Sequence, residues 1–131
     1  MNRLVTFATA ALTALSMGAP VLAQDNAAVG TWQPDKNSDY TVSMCGDKGD
    51  RLCLTVAELR GGMRKPENLK YLGKTLINGA KPSGKNSWKG KIDFFGVSGD
   101  TTVTLKNANT LHLKACAYVV VCKEITLKRK S

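Results

Sequence analysis

Four cysteines, one histidine and an excess of basic side chains are the residues of this chain with chemistry to offer. The cysteines are Cys45, Cys53, Cys116 and Cys122. A structural zinc site would need them reduced, and neither close pair has the C-x₂₋₄-C spacing usual for one. An even count in a small domain points instead to disulfides. Counting leaves three pairings open, and side-chain parity chooses among them, because successive residues of a strand face opposite ways. If Cys45 stands opposite Cys53 in an antiparallel hairpin, Met44 meets Leu54, Val42 meets Val56 and Ser43 meets Thr55, so the apolar residues share one face and the thiols the other. With Cys116 opposite Cys122, Leu113 meets Ile125 and Leu111 meets Leu127. The predicted bridges are therefore Cys45–Cys53 and Cys116–Cys122.

The remaining candidates for catalysis are sparse. His112 lies between Leu111 and Leu113, so parity points it outward, and with no second histidine a histidine-based metal cluster cannot assemble. Glu58 and Asp93 are the strand acids best placed for acid–base work; an enzyme would need a cleft that brings one of them to His112. Asp39, Asp47 and Asp50 suggest calcium by type, but the Asp47-Lys48-Gly49-Asp50 turn lacks the further ligands of a calcium loop, and Lys48 and Arg51 repel a cation. No nucleophile elbow, phosphate loop or dinucleotide glycine pattern occurs. Neither a metal nor a cofactor is expected.

Charge is the stronger signal. Nineteen Lys and Arg stand against ten Asp and Glu, a net charge of +9. Nine basic residues fall between Arg60 and Lys91, against Glu67 and, just beyond, Asp93. Within that region Arg60, Arg64, Lys65, Lys70, Lys74, Lys89 and Lys91 are the candidate binding residues for an anionic envelope component or an acidic protein. The basic residues are not interleaved with stacking aromatics, which argues against nucleic acid.

The elements that must position these groups follow from pattern. Residues 1–23 read as a secretory leader: Asn2-Arg3, an uncharged apolar stretch from Leu4 to Met17, the breakers Gly18 and Pro20, and Val21-Leu22-Ala23 before the cut. Cleavage leaves residues 24–131, one domain by length, bound for the periplasm or the exterior with no further segment able to span a bilayer. Along this domain period-2 alternation predicts strands near 29–33, 39–45, 52–59, 74–78, 87–95, 100–106, 110–116 and 121–129, with a turn at Gly96–Gly99. Residues 60–71 break the rhythm with Gly61-Gly62 and Pro66, and read as a loop with one helical turn at 66–71. The fold class is all-β: about eight short antiparallel strands in an up-and-down barrel or strongly curled sheet. The apolar run 117–121 lies between two cysteines, at a hairpin tip that either meets a partner or folds over the barrel end.

The order of landmarks resembles the exported bacterial family catalogued as domain of unknown function 2147. Gly30-Thr31-Trp32, Cys45-Gly46, Leu52-Cys53, Leu72-Gly73-Lys74, Trp88-Lys89-Gly90 and Arg129 carry the likeness, which runs from Val29 to Lys130. Cys116 and Cys122 depart from its pattern by adding a staple. The resemblance implies export and a small β-barrel-like domain, with Gly30, Trp32, Trp88, Gly90 and Arg129 as structural residues, and implies no activity. A second similarity is to the calycin barrels, such as lipocalins, which open on Gly-x-Trp and end near a basic residue packed on that tryptophan. Gly30-x-Trp32 and Arg129 match those parts.

These readings order the functions. The first is a non-enzymatic binding module that offers the basic 60–91 region to an anionic partner. The alternative is a carrier of a small apolar ligand, in an open barrel lined by Trp32, Val42, Met44, Ile92, Phe94, Val103 and Leu113. The last is a hydrolase acting on envelope material.

Overall fold

A computed structural model describes residues 27–117 and 121–131. Residues 1–26, which include the expected leader, and Tyr118–Val120 lie outside the described residues. Eight antiparallel strands close into a barrel in sequence order: β1 Gly30–Gln33, β2 Ser38–Cys45, β3 Arg51–Leu59, β4 Thr75–Gly84, β5 Ser87–Phe94, β6 Val97–Asn107, β7 Thr110–Ala117 and β8 Val121–Arg129. Between β3 and β4 run a 3₁₀ turn, Gly61–Met63, and a single helical turn, Pro66–Leu69. Among the described residues no helix is long and apolar enough to cross a membrane.

Inward alternation builds the core. Trp32, Val42, Leu54, Val56, Ile77, Val103, Leu111 and Leu127 are buried, with Tyr40, Ile92 and Leu113 beside them. Both disulfides form as parity predicts. The second hairpin keeps the expected register, with Cys116 opposite Cys122, Leu113 opposite Ile125 and Leu111 opposite Leu127. The first does not. Val42 faces Leu54, Ser43 faces Cys53 and Cys45 faces Arg51, a slide of two residues. The slide keeps every side chain on its face, so parity could not detect it. It shortens the turn to Gly46–Asp50 and seats Leu52 opposite Met44. The bridge then runs diagonally, with Cα atoms 6.0 Å apart against 4.0 Å in the second hairpin.

Two strands are longer than their alternation suggested. β4 continues past Asn78 through Gly79, Pro82 and Gly84. Its pairing with β3 ends at Ala80, so Pro82 lies beyond the last partner on that side and its missing N–H costs no ladder bond there. β6 begins at Val97, and the expected turn at Gly96–Gly99 is in fact the two-residue turn Phe95-Gly96, both at positive φ. Gly99 is strand, opposite Ile92; a Cβ there would stand 2.2 Å from the Cys116 carbonyl oxygen, so β6 and β7 approach as closely as they do only with glycine.

Antiparallel order sends the connections to two ends. The approach to β1 from residue 27, the β2–β3, β4–β5 and β6–β7 turns and the C-terminus share the base. The β1–β2, β3–β4, β5–β6 and β7–β8 connections share the other end, the mouth.

Candidate functional site

The base is shut. Trp32 donates its indole N–H to the Ala28 carbonyl at 2.9 Å, and the Arg129 guanidinium lies 4.3 Å from the Trp32 ring centroid. The same guanidinium donates to the carbonyls of Ala108, Val29 and Ala27 at 2.7, 2.9 and 2.5 Å. A charge over an aromatic face, fixed by three acceptors, ties the segment before β1, the last strand and the β6–β7 turn together. Gly30 leaves room for this clamp, since a Cβ would stand 2.6 Å from Arg129 Nη1. Gly90 has the same role at the wall, where a Cβ would stand 2.9 Å from the Ala80 Cα, and Trp88 is buried beside it.

The barrel's middle is filled. Trp32, Val42, Val103 and Leu113 are buried, so four of the residues expected to line an open lumen form the core instead. The void inside that middle is about 10 Å³, bounded by Tyr40, Leu54, Ile92, Phe94, Leu113, Ile125 and Leu127. That is room for about one water, against apolar walls that give it no partner.

The mouth is different on its two sides. On the β3–β4 side the long connection folds back, and Met63, Leu69 and Tyr71 pack on the core. Tyr71, Phe95 and Phe94 form an edge-to-face chain, with centroids 5.2 and 5.1 Å apart. On the β5–β8 side a crevice of about 180 Å³ remains, with Ile92, Phe94, Val97, Ala115, Ala117 and Val121 among its walls and Lys123 at its edge. Most of these are inward strand positions, and small residues at 99, 115 and 117 leave the space. Of the expected carrier lining, only Ile92 and Phe94 reach this crevice. Ala117 is half-buried and Val121 exposed; the rest of the apolar run 117–121 lies outside the described residues. Sequence reasoning missed Ala115, Ala117 and Lys123. Their signal was available: continuing the inward parity of β7 and β8 past Leu113 and Ile125 lands on them.

The basic candidates have different neighbours. Arg60 donates to buried Asp39 at 2.6 and 3.3 Å, a pair that Lys130 joins at 2.8 Å and Gln33 at 2.7 Å. Arg64 lies 4.0 Å from Glu58 and donates to the Leu59 carbonyl. Lys91 is paired with Asp100. Lys70 and Lys74, with Tyr71, Leu76 and Asp93, border an open groove beside the mouth. Lys65 is exposed on the same connection. Lys89 is on the outer wall, directly opposite Lys81.

Nor do the acid–base candidates converge. His112 meets Glu124 at 3.0 Å on the outer wall, Glu58 accepts from the Leu59 N–H, and Asp93 accepts from the Gly96 N–H. Among the described residues no three His, Cys, Asp or Glu are grouped to hold a metal.

Among solved structures the chain is similar to protein HP1028 from the human pathogen Helicobacter pylori, described as belonging to the lipocalin family. The likeness has a TM-score of 0.59 at 18% identity and covers 79% of this chain and 83% of that one. At that identity it establishes the fold alone, and at that level it supports the calycin similarity that Gly30, Trp32 and Arg129 carried. No family model and no curated protein matches the chain, so these comparisons do not support the resemblance to domain of unknown function 2147.

Proposed function

We propose that this chain is an exported binding protein that receives a small apolar group in the mouth of its barrel. The observation that carries this reading is the crevice between β5 and β8, an apolar space at one end of a barrel that is otherwise packed. Pockets that enclose a whole drug-sized molecule run to about 300–1,000 Å³. At about 180 Å³ the crevice suits one apolar group or the end of a chain. The lipocalin-like fold supports the reading, because it is an architecture of binding. The two disulfides suit an oxidising compartment, and the leader directs the chain there.

A probe with about five methylenes in the crevice gains about 4 kcal/mol, which corresponds to a Kd near 1 mM. Hexan-1-ol, titrated by NMR, is therefore expected to give saturable shifts confined to the mouth residues of β5–β8. Ala115→Phe fills the crevice and is expected to abolish those shifts while leaving the melting temperature nearly unchanged. Absence of saturable binding to the native protein, or undiminished binding to the filled variant, overturns the proposal.

A second reading, an anionic partner on the outer wall, is favoured by one observation: Lys81 and Lys89 stand opposite one another with no acid between them. Like charges in that relation weaken a sheet.

A further inference from the structure

Lys123 is out of place. Along β8 Leu127, Ile125, Lys123 and Val121 share the inner-facing side, running from buried Leu127 to exposed Lys123 and Val121 at the mouth, a run that is apolar except at one position. Opposite Lys123 stands Ala115, too short to cover it. The other walls of the crevice include Ile92, Phe94, Val97 and Ala117, and Lys123 is its one charged lining residue. Among the described residues the ion pairs of this protein use Arg60, Arg64, Lys91, His112 and Lys130, and none reaches Lys123. Tyr118–Val120, outside the described residues, carry no acid by sequence.

Its orientation is not accidental. A one-residue slip of β8 would turn Lys123 outward and Glu124 inward. The Cys116–Cys122 bridge, directly across the strands and next to Ala115 and Lys123, forbids that slip. Leu113–Ile125 and Leu111–Leu127 hold the same register from the core side. Lys123 instead sets an exposed charge, unpaired among the described residues, at the lip of an apolar space.

The geometry points to an amphiphile with an anionic head as the ligand class: its apolar end enters beside Ile92 and Phe94, and its carboxylate or similar acid accepts hydrogen bonds from Lys123 Nζ at the rim. This rests on the mouth being the binding site and adds what is bound there. The Lys123 ammonium is exposed at the rim, so an anionic head can reach it from solvent while the apolar end of the same molecule sits in the crevice. Lysine suits the task, since its flexible apolar stem can lie along the wall while its head follows the ligand.

Hexanoate, hexan-1-ol and hexylammonium share one apolar end and differ in the head. On the native protein hexanoate is expected to bind up to about fivefold more tightly than hexanol, the worth of one exposed ion pair, with hexylammonium weakest. Lys123→Met keeps the apolar stem and is expected to bring hexanoate to the level of hexanol while hexanol is unchanged. Lys123→Arg should retain the preference. Lys128→Met, which removes a charge from the outer face of the same strand, should retain it too and so separates a local contact from the general field of a cationic protein. Equal binding of hexanoate and hexanol by the native protein, or a preference that survives Lys123→Met, overturns the assignment to Lys123 while leaving the mouth as the site. If hexanol fails to bind at all, the mouth itself is wrong and this assignment falls with it.

Discussion

Asp39 is a carboxylate held nearly out of water, 5% exposed at the start of β2, and its four hydrogen bonds come from Arg60, Lys130 and Gln33. The Arg60 guanidinium, opposed by burial and reinforced by Lys130 and Gln33, holds the carboxyl well below the usual carboxylate range. A depressed native value means the stabilisation is complete above the ordinary value of 3.8 and is lost as pH falls below it, through the native value. Removing one partner of a buried pair is costly because it strands the other. Here Arg60 and Lys130 are 37% and 47% exposed and can turn to water, so the cost is moderated. Asp39→Asn is therefore expected to lose about 1–2 kcal/mol at pH 7. The gap from the native protein, read by urea unfolding, should narrow at pH 3 and below. A gap that is the same at both pH values would show that Asp39 acts by shape and not by charge. The same contacts explain why Arg60, which reads in the sequence as one more basic residue of a binding region, is committed to an acid on a neighbouring strand. No local pattern places an acid 21 residues away against it.

At the scale of elements, the alternating hairpins were the most legible part of the chain. β7 and β8 carry an unbroken inward series, and their turn is bounded by cysteines directly across from one another, so pattern and register coincide. β2 and β3 show where parity runs out: it fixes which face a residue takes but not which of two registers an even slide apart is adopted. There the burial of Leu52 against Met44 decides. β4 was cut short because Gly79, Pro82 and Gly84 imitate a turn, and Gly99 was misread for the same reason. In each case glycine serves a close approach or bulge that only the neighbouring strand defines. Both disulfides close short loops, with separations of 8 and 6 residues, so each is expected to contribute only about 2 kcal/mol. Replacing Cys116 and Cys122 together by alanine should cost that much in thermal or urea unfolding and leave the β7–β8 cross-strand contacts intact, because the leucine and isoleucine pairs hold the same register. Loss of those contacts by NMR would mean the bridge, not the core, sets where Lys123 points.

For the whole molecule, closure is the step that composition could not supply. β1 and β8 meet over only two residue pairs, Trp32 with Arg129 and Gln33 with Lys128, and the seam is completed by backbone bonds between Thr31 and residues 130–131 and by the Arg129 clamp. A sheet with the same alternation could have stayed open; one arginine over one tryptophan, plus three carbonyls, shuts it at the base and leaves the mouth as the end where apolar space persists. Around this closed wall the charge of +9 is uneven. Lys91 and Asp100 neutralise each other, as do His112 and Glu124 when the imidazole is protonated. Lys89, however, has Lys81 on one side and Thr102 on the other, with Lys114 beyond. Opposing like charges cost a sheet about 0.2–1 kcal/mol, so Lys89→Glu, which creates an opposite-charge pair with Lys81, is expected to stabilise the barrel by about 0.5 kcal/mol. If that row is an anion-binding face, the same change should lower the salt concentration at which the protein leaves an anionic resin by more than Lys106→Glu does, although both alter the net charge equally. Equal shifts for the two variants would mean that retention follows total charge alone, and the outer wall would then have no partner of its own to explain the unfavourable pair.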